Sequence, residues 1–116
     1  MKLASLAAGR DGRLVVVSRN LEIAAAANDA APTLQRALDE WSNVEGDLSR
    51  LSDELERGKR DDAFTLDPAV LAAPLPRAYQ WLDGSAYVNH VELVRKARGA
   101  EMPAEFWTDP LMYQGG

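Results

Sequence analysis

Leu34, Leu38, Trp41, Val44, Leu48, Leu51 and Leu55 recur every three or four residues, which sets them along one face of a helix over 32–58. Pro32 suits the first helical turn, where its missing N–H costs nothing, and Gly58 followed by Lys59 and Arg60 suits the stop. Gly46 lies inside this run, weakens a helix by roughly 1 kcal/mol relative to alanine, and marks a candidate bend. The opposite face carries Asp39, Glu40, Glu45, Asp47, Asp53, Glu54 and Glu56, a charge run that reads as solvated surface.

Before the helix the pattern is extended. Residues 2–7 read as a weak strand, and 13–18, with Leu14, Val15, Val16 and Val17, as a strong β-branched one. Gly9, Arg10, Asp11 and Gly12 supply a turn between them, the Asp-Gly pair being able to take positive φ. A turn at 18–20 leads into a third segment, 21–26, which either extends the sheet or, on the propensity of the alanines at 24–27, turns helical.

After the helix, 59–73 read as a connector. Phe64 and Leu66 pack back, and Asp67 before Pro68 suits a helix N-cap with proline at the first position. Pro74 and Pro76 force an extended path, so the domain boundary is set there, giving 1–73 and 74–116. Further on, Tyr79 and Trp81 alternate as in a strand. From His90 the apolar Val91, Val94 and Ala97 sit against Glu92, Arg95, Lys96 and Arg98, as in a helix with His90 near its start. The helix dipole there favours a neutral imidazole, which suits a general base.

Composition narrows the classes. At 116 residues, with 47% hydrophobic and 27% charged positions, the chain is an ordinary globular one with a modest core. A net charge of −5 and a pI near 4.8 argue against nucleic acid as a partner. The basic knot of Arg57, Lys59 and Arg60 is cancelled by Asp61 and Asp62. Cysteine is absent, which excludes disulfides and thiolate zinc sites. The apolar start is too short for a secretory h-region, and no stretch is long enough to span a membrane, so a cytoplasmic protein without membrane contact is expected.

The chemistry-bearing spacings lie in the tail. Asp83 precedes His90, the sole histidine, by seven residues; Tyr87 forms Tyr-x-x-His with it; and Pro110 to Gly115 form Pro-x-x-Tyr-x-Gly around Tyr113. Taken singly, each has an ordinary structural explanation, Asp83-Gly84-Ser85 for instance being a plausible turn. Together and in order they resemble the entry into the catalytic domain of the fumarylacetoacetate hydrolase family, in a bacterial form.

That resemblance implies an α+β chain: a small antiparallel β unit on one long amphipathic helix, an extended Pro-rich connector, then the first strand and helix of a truncated β-rich catalytic domain. It implies Asp83 as a metal ligand, His90 as the catalytic base, and Tyr113 with Arg98 (or Arg95) as substrate-binding residues. The cofactor is a divalent Mg²⁺ or Ca²⁺ held mostly by other residues. The substrate is a small keto or dicarbonyl acid from aromatic or keto-acid catabolism, and the full-length protein is a homodimer. The reaction is C–C hydrolysis of an acylpyruvate-like acid, with isomerase, hydratase or decarboxylase action on related keto acids as alternatives. This sequence departs from the pattern at Ser85, where longer members have a tyrosine, and no Glu-x-Glu follows His90. Glu54 and Glu56 form such a pair, but on the long helix. The piece itself is expected to be inactive, and a folding or interaction module is the non-enzymatic alternative.

Overall fold

The computed structural model describes residues 1–85, 87–109 and 111–115, and of these the side chains of Ser85 and Leu111 are not described. The chain forms two compact units, Met1–Arg77 and Ala78–Gly116.

In the first unit the β-branched run folds as strand β2, Arg13–Val17, between β1, Lys2–Leu6, and β3, Ile23–Ala26. A short β4, Phe64–Thr65, completes an antiparallel sheet ordered β1-β2-β3-β4. The third segment joins the sheet, not a helix. Val16 pairs with Ala25 and Val17 with Ala24, and both alanines are fully buried. Packing here overrides propensity.

Both faces of the sheet are covered, which explains why Leu14 to Val17 are apolar without alternation. Leu14 and Val16 pack with Ala27, Ala31, Ala37, Val44, Leu48 and Leu51 on the helical side. Leu6, Val15, Val17 and Ala24 pack on the other side against Phe64, Leu66 and Leu71 of the connector. The expected back-packing of Phe64 and Leu66 is observed.

The long apolar run forms two helices, α1, Leu34–Asp39, and α2, Trp41–Glu56. The chain turns at Glu40, with φ −120° and ψ 27°, and Gly46 stays inside α2 as regular helix. This change of direction buries Ala37 and leaves Leu38 47% exposed, so Leu38 does not share the buried stripe. Pro32 lies ahead of the helix, its carbonyl accepting from Leu14 N at 3.0 Å. Thr33 is the N-cap, with Oγ1 accepting from Arg36 N at 3.1 Å. At the far end Gly58 has φ +66°; its N–H bonds to Leu55 O and that of Lys59 to Glu54 O, the Schellman pair that ends a helix.

In the connector, Asp67 caps the 3₁₀ turn Pro68–Val70 through Ala69 N at 2.9 Å, as its sequence implies. Leu71 then bridges Leu6, beside the free edge of β1. The outer helical face is solvated: Arg50 pairs with Asp47 and Glu54, and Glu56 accepts from Arg19 N.

The second unit holds β5, Trp81–Ser85, α3, Val88–Ala97, a 3₁₀ turn Ala104–Trp107, and β6, Leu111–Gly115. β5 and β6 pair antiparallel. None of its described residues is buried.

Candidate active site

Asp83-Gly84-Ser85 is strand, not turn, and pairing to β6 fixes its register. Asp83 stands opposite Tyr113 and Trp81 opposite Gly115. Directly opposed residues of an antiparallel pair share a face, and so do residues two apart. Trp81, Asp83 and Tyr113 therefore project from one side of the ribbon. The Trp81 and Tyr113 rings meet edge to face, with centroids 6.3 Å apart at 79°. Gly115 makes room for them: a Cβ there would come within 2.8 Å of Trp81 Cε3.

Beyond β5 the chain enters α3. Tyr87 is its N-cap residue and His90 its third helical residue, so the imidazole sits in the first turn as the sequence implies. Asp83, Gly84, Tyr87, His90 and Val91 line one open cleft of about 410 Å³. The carboxylate and the imidazole are thereby brought to one concavity, one from the strand and one from the helix.

The other two candidates are placed differently. Tyr113 shares the Asp83 face of the ribbon but does not line the cleft. Arg98 is the C-cap of α3, eight residues past His90 and so about 12 Å along the axis, and it too lies outside the lining. Gly99, with φ +68°, and Ala100 close that helix end by bonding to Lys96 O and Arg95 O. Arg95 donates from Nη1 to Glu101 O at 3.1 Å. Pro110, the first position of the Pro-x-x-Tyr-x-Gly element, lies outside the described residues.

Tyr87 lines the cleft with Asp83 and His90, and the Tyr-x-x-His spacing was its signal. Gly84 and Val91 carried none beyond adjacency to Asp83 and His90. Among the described residues no group of three or more His, Asp or Glu side chains comes together to hold a metal ion. None of the helices among these residues is long and apolar enough to cross a membrane.

A double-faced antiparallel sheet under a two-helix layer, followed by a smaller second unit that carries an acid and an imidazole, defines the class: an α+β domain with a short α+β unit after it. Residues 1–77 match the family model described as fumarylacetoacetase N-terminal domain 2, and the chain belongs to that family. The match ends with the first compact unit, at Arg77. Asp83, His90, Arg98 and Tyr113 lie beyond it. A search of curated proteins found no match.

Proposed function

We propose that this chain supplies the N-terminal domain, residues 1–73 with the connector, and the opening catalytic segment, from residue 74 on, of a hydrolase of the fumarylacetoacetase type. Such an enzyme cleaves a C–C bond in an acylpyruvate-like β-dicarbonyl acid. The observation that carries this reading is the cleft shared by Asp83 and His90, following directly on a domain of that family.

In this proposal His90 takes a proton from water and the resulting hydroxide adds to a carbonyl carbon. The adjacent C–C bond breaks, giving a carboxylic acid and an enolate, and the imidazolium returns its proton to the enolate carbon. Tyr113 and Arg98 hold the acidic ends of the substrate. Asp83 would be one carboxylate toward a Mg²⁺ or Ca²⁺ ion, which would polarise the substrate carbonyl. Calcium takes six to eight oxygens and magnesium an octahedral set, so one aspartate and one imidazole do not complete such a site among the described residues. Because the reaction as proposed needs that ion, the 116-residue chain is expected to be inactive by itself.

The test is cleavage of an acylpyruvate with added Mg²⁺ or Ca²⁺. The 116-residue chain is compared with a form extended through its natural downstream sequence. The expected result is activity in the extended form alone, falling by 10²-fold or more on His90→Ala. An extended protein that binds no divalent ion and leaves acylpyruvates intact sinks the hydrolase reading and favours a folding or interaction module.

A further inference from the structure

Residues 70–77 run beside the outer edge of β1 as a strap. Ala7 N donates to Val70 O at 2.8 Å, Leu71 bridges Leu6, and Ala72 N donates to Ser5 O at 2.9 Å. Ser5, only 1% exposed, donates from Oγ to Pro74 O at 2.7 Å. At the end of the strap the Arg77 guanidinium forks onto Asp11 in the β1–β2 turn, Nε to Oδ1 at 2.5 Å and Nη2 to Oδ2 at 2.6 Å. The hold therefore changes in kind along the strap: backbone bonds at 70–72, one part-buried side-chain bond at 74, then an exposed ion pair at 77.

Asp11, Gln35, Leu75, Pro76 and Arg77 line a small open pocket of about 20 Å³, room for one water. The guanidinium beside it holds the Asp11 carboxyl below its usual range, and Arg10 adds a further cation to the same carboxylate. From α1 the facing group is Gln35, uncharged and donating to Asp39.

We propose that Asp11 and Arg77 form a releasable latch that decides where the rigid part of the first unit ends. Closed, it carries ordered backbone to Arg77. Open, the strap frays back toward Pro74 and frees the peptide bond that joins the two units. Exposed ion pairs are weak and sensitive to salt, so small perturbations suffice to open it. The latch stands whether or not the second unit is catalytic.

Limited trypsin digestion of the whole 116-residue chain tests it, because trypsin must take the Arg77 side chain from Asp11 to cut there. Cleavage at Arg98, outside the strap, is the internal reference. Asp11→Asn raises the Arg77-to-Arg98 cleavage ratio roughly two- to five-fold. Asp11→Ala, which removes the acceptor and leaves Arg77 itself as the trypsin site, does likewise. Added NaCl at about 1 M moves the unaltered chain toward the variants and leaves the Asp11→Asn ratio where it was. An unchanged ratio in both variants, or equal acceleration at every arginine, overturns the latch.

Discussion

Gly12→Ala and Gly9→Ala form a matched pair that separates backbone conformation from packing. Both glycines lie in the β1–β2 turn with nearly equal left-handed angles, φ +66° at Gly9 and +72° at Gly12. A side chain in that region costs about 1–2 kcal/mol, partly offset by the reduced freedom of the unfolded chain. At Gly9 nothing lies within 4 Å of an added Cβ, so the net loss is about 1 kcal/mol or less. At Gly12 the added atom would sit 2.9 Å from Ser5 Cβ and 3.1 Å from Leu6 O. Neither neighbour moves freely, since Ser5 and Leu6 are locked by pairing to Leu14 and Arg13.

Overpacking of this kind costs roughly 1–3 kcal/mol. Displacing Ser5 also threatens its bond to Pro74 O, about 1 kcal/mol more. Gly12→Ala should therefore lose roughly 3–5 kcal/mol in all, at least ~2 more than Gly9→Ala. Urea unfolding followed by far-UV circular dichroism reads the difference, about 2 M in midpoint for a unit of this size. Midpoints within about 0.5 M of each other would refute the reasoning, because the two sites would then differ in nothing that matters.

Other outcomes follow from the same geometry. Gly46→Ala should stabilise by roughly 1 kcal/mol, since Gly46 is exposed mid-helix with open space at its Cβ; a neutral or lower urea midpoint contradicts this. Leu48→Ala should cost about 2–5 kcal/mol, Leu48 being fully buried at the centre of the helix–sheet core, and a loss under about 1 kcal/mol would mean the core is not assembled as described. For pH, Asp11 and Asp62 are both held below the ordinary carboxylate value, each chiefly by a hydrogen bond from its arginine, Arg77 and Arg60. Their stabilisation is present above the unfolded value of about 3.9 and fades as pH falls through it toward the lower folded value. Asp11→Asn should flatten the urea midpoint against pH in that acid window and nowhere near neutrality.

The β unit was legible because β-branched residues and turn glycines are local signals. The third strand was ambiguous for a physical reason: alanine prefers helix by itself, and only burial between two layers makes small side chains at 24 and 25 an advantage in a strand. The helical run was legible as a face but not as two helices. A break at a glutamate leaves no mark in periodicity, and Gly46, the residue that looked like a breaker, has its backbone satisfied inside α2. The site was readable in part. Asp83 and His90 reach one cleft because a strand, a short link and a helix start follow one another in sequence. Arg98 is near His90 along the chain, and eight helical residues place it about 12 Å further along the axis, a separation that nearness in sequence does not show.

Where those residues stand also limits what they can do unaided. Proton transfer needs the base held to within a fraction of an ångström and some tens of degrees, and side chains are held that way by packing. His90 and Asp83 sit on a helix and a two-stranded ribbon with no buried residue among those described, and a lone pair of strands is marginal in water. Trp81, Leu82, Met112 and Tyr113 are all more than half exposed and occupy both faces of that ribbon. A ribbon apolar on two faces is built to lie between layers, as β2 does in the first unit. Under the proposed function, catalysis at the cleft therefore requires protein packed against both faces of β5 and β6, independently of the count of metal ligands. With Trp41 and Trp107 replaced by phenylalanine, a Trp81 emission maximum that is solvent-like in the 116-residue chain and blue-shifted in an active extended form would bear this out; solvent-like Trp81 emission in an active enzyme would show that the cleft works without that support.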